Sequence, residues 1–233
     1  MIRDGIRDAV QLLLQLDASV IDAAMISLWV SLLAVFAASV VGVGIGLLLA
    51  RHKFRGRVIL VGMFRVGMSV PTVLIGLLCF GMLSRRGALG EFGLLYTTWA
   101  IVIGEFFLAL PIITTWTHGA IVRLDPRVAE TAFTLGAGNL QRTLTYLNEA
   151  RLAIVLAVLT AFSRCFTELG IAMMVGGNIP GRTRTLTTAT ALETSQGEFS
   201  RGVAMSLILL MIALLVTVAI AAIDRGGDEE TIS

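Results

Sequence analysis

Arg65, Glu105, Arg164 and Glu168 each interrupt an otherwise apolar run. At the centre of a membrane span a charge costs ~2.5–3.5 kcal/mol, so such side chains face protein, water or one another. Arg164 and Glu168 are four apart and share a helix face, and Glu105 lies near the middle of its run with Pro111 following it. Two kinds of chemistry fit these residues: a structural network in which Arg164 neutralises Glu105 or Glu168, and the lining of an ion path. The two are compatible. Arg65, close behind Arg57, reads as a side chain snorkelling to the interface. Further along, Arg182, Thr183, Arg184, Thr185, Thr187, Thr188 and Thr190 place hydroxyls beside guanidinium groups, a set suited to an oxyanion. The same composition also describes a solvated loop leading into a threonine-rich helix.

Covalent and metal chemistry find no support. His52 and His118 are isolated, Cys79 and Cys165 sit inside apolar runs, and no nucleophile, base and orienting group assemble in the sequence. The glycine-rich stretch 176–181 is not followed by the lysine and hydroxyl residue of a nucleotide loop, so ATP hydrolysis by this chain is not expected. No bound cofactor, metal or nucleic-acid partner is expected either.

The elements that must position these residues are membrane helices. The chain has 233 residues, of which 56% are hydrophobic and 15% charged, with a mean hydropathy of +0.88; a soluble domain carries ~25% charged residues. An all-α integral membrane protein follows, as a single transmembrane domain over 1–233 with spans at about 23–50, 58–83, 92–116, 152–176 and 203–223. Arg51, Lys53, Arg55 and Arg57 crowd the first loop and place it in the cytoplasm. Alternation then puts the amino terminus outside and the carboxyl terminus inside. Ile2, Ile6, Ala9, Leu13 and Leu16 recur at helical spacing opposite Arg3, Arg7, Gln11 and Gln15, predicting an amphipathic interfacial helix rather than a signal peptide. Its expected role is a packing collar at the lipid surface. Only about ten residues follow the last span, so no regulatory domain is expected there.

Between the third and fourth spans, 124–148 is polar but patterned. Asp125 can cap a helix that starts at Pro126 and ends near Gly136; a second helix follows Gly138, capped by Asn139, and carries Leu140, Leu144 and Leu147. In the first span, Gly42 and Gly46 form a small-x-x-x-small pair for close helix packing. In the second, Pro71 within Gly67-Met68-Ser69-Val70-Pro71-Thr72 bends the helix, as a static kink or as part of a gate.

The run Glu130-Thr131-Ala132-Phe133-Thr134-Leu135-Gly136 resembles the cytoplasmic signature of ATP-binding-cassette importer permeases, with Thr131 in place of one of the two usual alanines. The stretch from Arg164 through Glu168-Leu169-Gly170 and 173–189 resembles the tungstate subgroup of that family closely and the molybdate permeases more loosely. The resemblance covers nearly the whole chain. It implies a type I importer permease fold, working as a homodimer with the path between the copies, two ATPase subunits that hold ATP-Mg, and an extracytoplasmic binding protein, in a bacterial or archaeal plasma membrane. It further implies that Glu130, Thr131, Ala132, Leu135, Gly136 and Ala137 form the coupling helix that docks into the ATPase. Pro71, Thr72, Glu105, Arg164 and Glu168 become candidates for path and gate, and Asn178, Arg182, Thr183, Arg184, Thr187 and Thr188 for the outer mouth beneath the binding protein. The competing reading is an ion-coupled carrier or channel using Glu105 and Glu168; it predicts an internal inverted repeat, and none is visible.

Overall fold

The computed structural model describes residues 18–230, so the predicted interfacial helix at 1–17 lies outside the described residues. Every long element is a helix: α1 Ala18–Arg51, α2 Arg57–Gly67, α3 Thr72–Leu83, α4 Thr98–Val122, α5 Pro126–Thr134, α6 Asn139–Glu149, α7 Arg151–Phe166, α8 Leu186–Ser195 and α9 Phe199–Glu230. Backbone groups in hydrocarbon find partners only within a helix, which is why the apolar runs take this form.

The helices do not match the five predicted spans one for one. Among the described residues α1, α4 and the Phe199–Val216 part of α9 are each long and apolar enough to cross a bilayer, and α2 with α3 makes a fourth crossing if the bent pair is one span. The predicted span 58–83 is therefore not one rod: its halves meet at 103°. Pro71 causes the break, because it lacks an N–H and holds the backbone at φ −58 and ψ 129, outside the helical region. The predicted span 152–176 also breaks. Its first helical part, α7, has 16 residues, a rise of roughly 24 Å and short of a bilayer core. The predicted span 92–116 is displaced to 98–122, which moves Glu105 toward the start of its helix. Pro111 does not end α4; it packs against Gly67, where an added Cβ would come within 3.0 Å of the proline ring.

The core is organised by close approach at glycines. Gly42 and Gly46 of α1 meet Ile113, Thr114 and Thr117 of α4, so the pair serves intramolecular packing. A Cβ on Gly46 would lie 2.8 Å from Thr117 Cβ and 2.9 Å from the Thr114 carbonyl. Gly46→Val should thus cost about 1–3 kcal/mol through overpacking. Gly44→Ala, two residues away and facing open space, should be neutral or stabilise by about 0.5–1 kcal/mol. Equilibrium unfolding in mixed micelles reads both, and equal behaviour of the two variants would refute this packing account.

The outward faces of α1 are apolar. Met25, Trp29, Leu32, Phe36 and Val40 are exposed along one side, and their spacing makes a lipid-facing stripe.

Candidate translocation site and coupling segment

The broken fourth span is held open by one carboxylate. α7 ends at Phe166, and Glu168, buried, accepts the Gly170 N–H at 2.7 Å and the Ile171 N–H at 3.3 Å on Oε1. Those are the orphan donors of a restarting helix, so Glu168 acts as its cap. Its Oε2 accepts from Arg164 at 2.8 Å, and its backbone carbonyl accepts the Thr187 hydroxyl at 2.8 Å. Arg164 therefore pairs with Glu168, not with Glu105. The segment after the break contains a π-helical turn, Ala172–Gly176, and packs against the half-span that follows Pro71. Ile171 inserts between Gly76 of α3 and Gly104 of α4, and a Cβ on Gly170 would approach Thr72 Oγ1 at 3.2 Å. Two interrupted spans thus meet at their breaks, bringing Thr72 and Glu168 to one place. Their clustering was not legible in the sequence.

Glu105 occupies a different environment. It is 3% exposed on α4; the Ser31 hydroxyl of α1 hydrogen-bonds its carboxyl group, while Oε2 has no protein partner. Its backbone carbonyl receives the Cys165 thiol, with sulfur to oxygen at 3.6 Å. Arg65 lies on the exposed side of α2, near Arg57 and His118.

One face of α7 was missed. Thr160, Ser163, Arg164 and Thr167 line a shallow cleft of about 320 Å³, at positions that share a helix side. Thr160 and Thr167 are exposed and the Arg164 side chain is 45% exposed. Both threonines donate to carbonyls one turn back, at 2.7 and 3.0 Å. Arg164 has five N–H donors, and the bond to Glu168 engages one nitrogen of its guanidinium group. A polar stripe open to the outside of a membrane helix needs water or protein against it, since lipid cannot satisfy it. The spacing of these residues in the sequence was the available signal.

The outer threonines are internal. Thr183 donates to the Gly176 carbonyl at 2.6 Å and accepts the Ile179 N–H at 3.0 Å, closing the glycine-rich loop on itself. Thr185 and Thr188 cap α8 reciprocally, Thr187 reaches Glu168, and the Leu186 N–H binds Ser27 of α1 at 2.8 Å. With Thr183, Thr187 and Thr188 buried, their hydroxyls hold the segment together instead of lining its surface. Arg184 Nε donates to Asn178 Oδ1 at 3.2 Å, and Arg182 is the exposed cation there.

On the other side of the bundle, the predicted helical hairpin is present. Asp125 accepts the Arg127 N–H at 2.8 Å and caps α5, with Pro126 in its first turn. The helix closes on Gly136 at φ +72: Gly136 N–H reaches Phe133 O and Ala137 N–H reaches Ala132 O, both at 3.0 Å. This is the Schellman arrangement that glycine favours. The second cap is displaced by one residue: Gly138 precedes α6, its N–H bound by Gln141 Oε1 at 2.8 Å, and Asn139 is the first helical residue. Ala132 is buried, whereas Glu130 and Thr131 are exposed and Phe133, Leu135, Leu140 and Leu144 present large apolar surface.

The profile of the family described as "Binding-protein-dependent transport system inner membrane component" matches residues 42–226. The chain belongs to this family. As a permease it is 38% identical over 210 residues to the tungstate uptake system permease protein TupB of Campylobacter jejuni, covering 90% of this chain and 88% of that one. It is 34% identical to the protein of the same name from Peptoclostridium acidaminophilum, over 96% and 98% of the two chains. The molybdenum transport system permease protein ModB of Escherichia coli is 31% identical over 87% and 94%. Among solved structures, a chain of the inward-facing MetNI methionine ABC transporter superposes with a TM-score of 0.70 at 16% identity, over 91% of this permease and 97% of that chain. The permease therefore has the type I importer fold expected from the sequence and is a multi-pass inner-membrane protein. Its family implies dimerisation and partnership with ATPase and substrate-binding subunits.

Proposed function

We propose that this permease imports tungstate, as a homodimer joined to two ATPase subunits that hold ATP-Mg and fed by an extracytoplasmic binding protein. The observation that carries the substrate is the likeness to two tungstate uptake permeases along almost the whole chain. Molybdate is the alternative, favoured by the likeness to ModB. On this reading the amino terminus faces outward, the hairpin α5–α6 faces the cytoplasm as the first loop's positive charge requires, and Glu130, Thr131, Ala132, Leu135, Gly136 and Ala137 meet the ATPase. ATP is hydrolysed by the partner, and this chain converts the resulting movement into alternating access.

The path runs along the polar face of α7, set against the same face of the second copy. Arg164 supplies the charge that attracts a dianion, and Glu168, already bound to it, keeps the attraction weak enough for release. Thr72 and the break at Pro71 flank this point, and Glu105 supports it from within the bundle. Asn178, Arg182 and Arg184 lie at the outer mouth, where the binding protein docks; Thr183, Thr187 and Thr188 fix the shape of that mouth.

ATPase activity in lipid tests the whole assembly. The permease co-expressed with its ATPase should be stimulated several-fold by binding protein loaded with tungstate, and less by the sulfate-loaded form. Equal stimulation by molybdate would move the assignment to a general oxyanion importer. Absence of both complex and stimulation would overturn it.

A further inference from the structure

A cavity of about 850 Å³ opens where the end of α1, the end of α4 and the hairpin α5–α6 come together. Four cations line it, Arg51, Lys53, Arg57 and Arg142, against the two acids Asp125 and Glu130. Asp125 is engaged by the Arg127 N–H. Two of the arginines are fixed without a carboxylate. Arg142 lies over the Phe133 ring at 4.8 Å and donates from Nε to the Ala137 carbonyl at 3.0 Å. Arg51 lies over the Tyr146 ring at 5.3 Å and donates to the Thr143 hydroxyl. Each is held by a ring and one hydrogen bond, and a guanidinium so placed keeps donors for a second acceptor. Arginines with open forks on a compact concave surface suit a phosphate, which they bind bidentately.

The position selects the source of that phosphate. α1 ends at Arg51 and α4 at Val122, so the cavity lies at the depth where spans leave the hydrocarbon. Apolar surface adjoins the cations: Val122, in the lining, is 53% exposed, and Phe54 and Val58, next in sequence to Lys53 and Arg57, are 46% and 84% exposed. A free anion would use the cations and leave this apolar surface bare, whereas a phospholipid uses both. Basic pockets between membrane helices take anionic headgroups in this manner.

We infer that the cavity holds the headgroup phosphate of an anionic phospholipid, which ties the end of α1 and the basic loop to Arg142 of the hairpin. This requires only that the chain span a membrane, not that its substrate be tungstate. A lipid seated there would restrain the hairpin on which the ATPase pulls, so membrane composition would tune coupling.

Native mass spectrometry of the full chain released from vesicles of phosphatidylcholine and phosphatidylglycerol tests it. The chain should retain phosphatidylglycerol preferentially, and Lys53→Gln/Arg142→Gln should weaken that preference about tenfold. Arg85→Gln/Arg86→Gln, in the loop after α3, should leave it unchanged. A photoactivatable phosphatidylglycerol, used with the unaltered chain, should crosslink within 50–58 or 121–146, which keeps the test valid if the double variant misfolds. Equal retention of the two lipids, unchanged preference in the double variant, or crosslinks confined to other segments would overturn the inference. Displacement of bound phosphatidylglycerol by millimolar inorganic phosphate would also overturn it, making the cavity a free-anion site.

Discussion

Gly136→Val is expected to abolish most ATP-driven uptake while leaving the permease inserted in the membrane. Gly136 sits at φ +72, a left-handed conformation that costs an L-residue ~1–2 kcal/mol and a β-branched one more. There is room for a side chain, since a Cβ at Gly136 meets nothing within 4 Å. The penalty is therefore one of backbone conformation and not of crowding. Relieving it means giving up the bonds from Gly136 to Phe133 and from Ala137 to Ala132, and with them the angle between α5 and α6 and the placement of Leu135. A loss of ~1–2 kcal/mol in this geometry corresponds to roughly a tenfold fall in correctly shaped hairpin. Uptake in vesicles should fall by at least that factor, with ATPase activity no longer stimulated by loaded binding protein. Gly136→Asn provides the control, because asparagine tolerates the left-handed region; it should retain most activity. If valine and asparagine behaved alike, the conformational account would be wrong, and full activity of Gly136→Val would remove the coupling role from this hairpin.

That hairpin was legible because its signals are local. Asp125, Pro126 and Gly136 each act within one turn of their own position, so a cap, a start and a stop survive whatever the rest of the chain does. The close packing of Gly42 and Gly46 on α4 was legible for a similar reason, since small residues one turn apart have few other uses in a membrane helix. Pro71 announced the bend in the second span, but neither its size nor the break in the fourth was legible. Hydropathy summed over a run of 20 or so residues cannot see a 103° bend within it, nor that Phe166 is a helix end. The pair of Glu168 with Arg164 was open to the sequence from their spacing of four, but its capping of the segment at Gly170 was not, because that depends on a break set jointly by this carboxylate and by the packing of Ile171 between Gly76 and Gly104. The threonines misled for the opposite reason. Their composition matches a solvated anion site, but each hydroxyl finds a backbone partner or a neighbouring threonine, and this self-satisfaction lets Thr183, Thr187 and Thr188 be buried.

Removing the Glu168 carboxylate should cause a large loss of stability, and the pattern across substitutions separates its two roles. Glu168→Ala deletes two cap bonds, at 2.7 and 3.3 Å, and the 2.8 Å pair with Arg164. Hydrogen bonds to a charged group contribute ~1.5–3 kcal/mol, and breaking a fully buried pair costs ~3–5 kcal/mol. The Arg164 side chain is 45% exposed, which reduces the ion-pair share, so a net loss of about 2–4 kcal/mol is expected. Glu168→Gln keeps an oxygen able to accept the Gly170 and Ile171 N–H groups and gives up the charge; it should lose less than half as much. Arg164→Gln deletes the pair and spares the cap, leaving the restart at Gly170 intact. Unfolding in mixed micelles should therefore rank Glu168→Ala well below both single-role variants. Transport should rank them differently, since Arg164→Gln removes the cation proposed to face the anion and should depress uptake more than its modest effect on stability explains. A Glu168→Ala permease as stable as the unaltered chain would mean the fourth span is interrupted by packing alone. An Arg164→Gln permease with full uptake would take the path away from this face of α7.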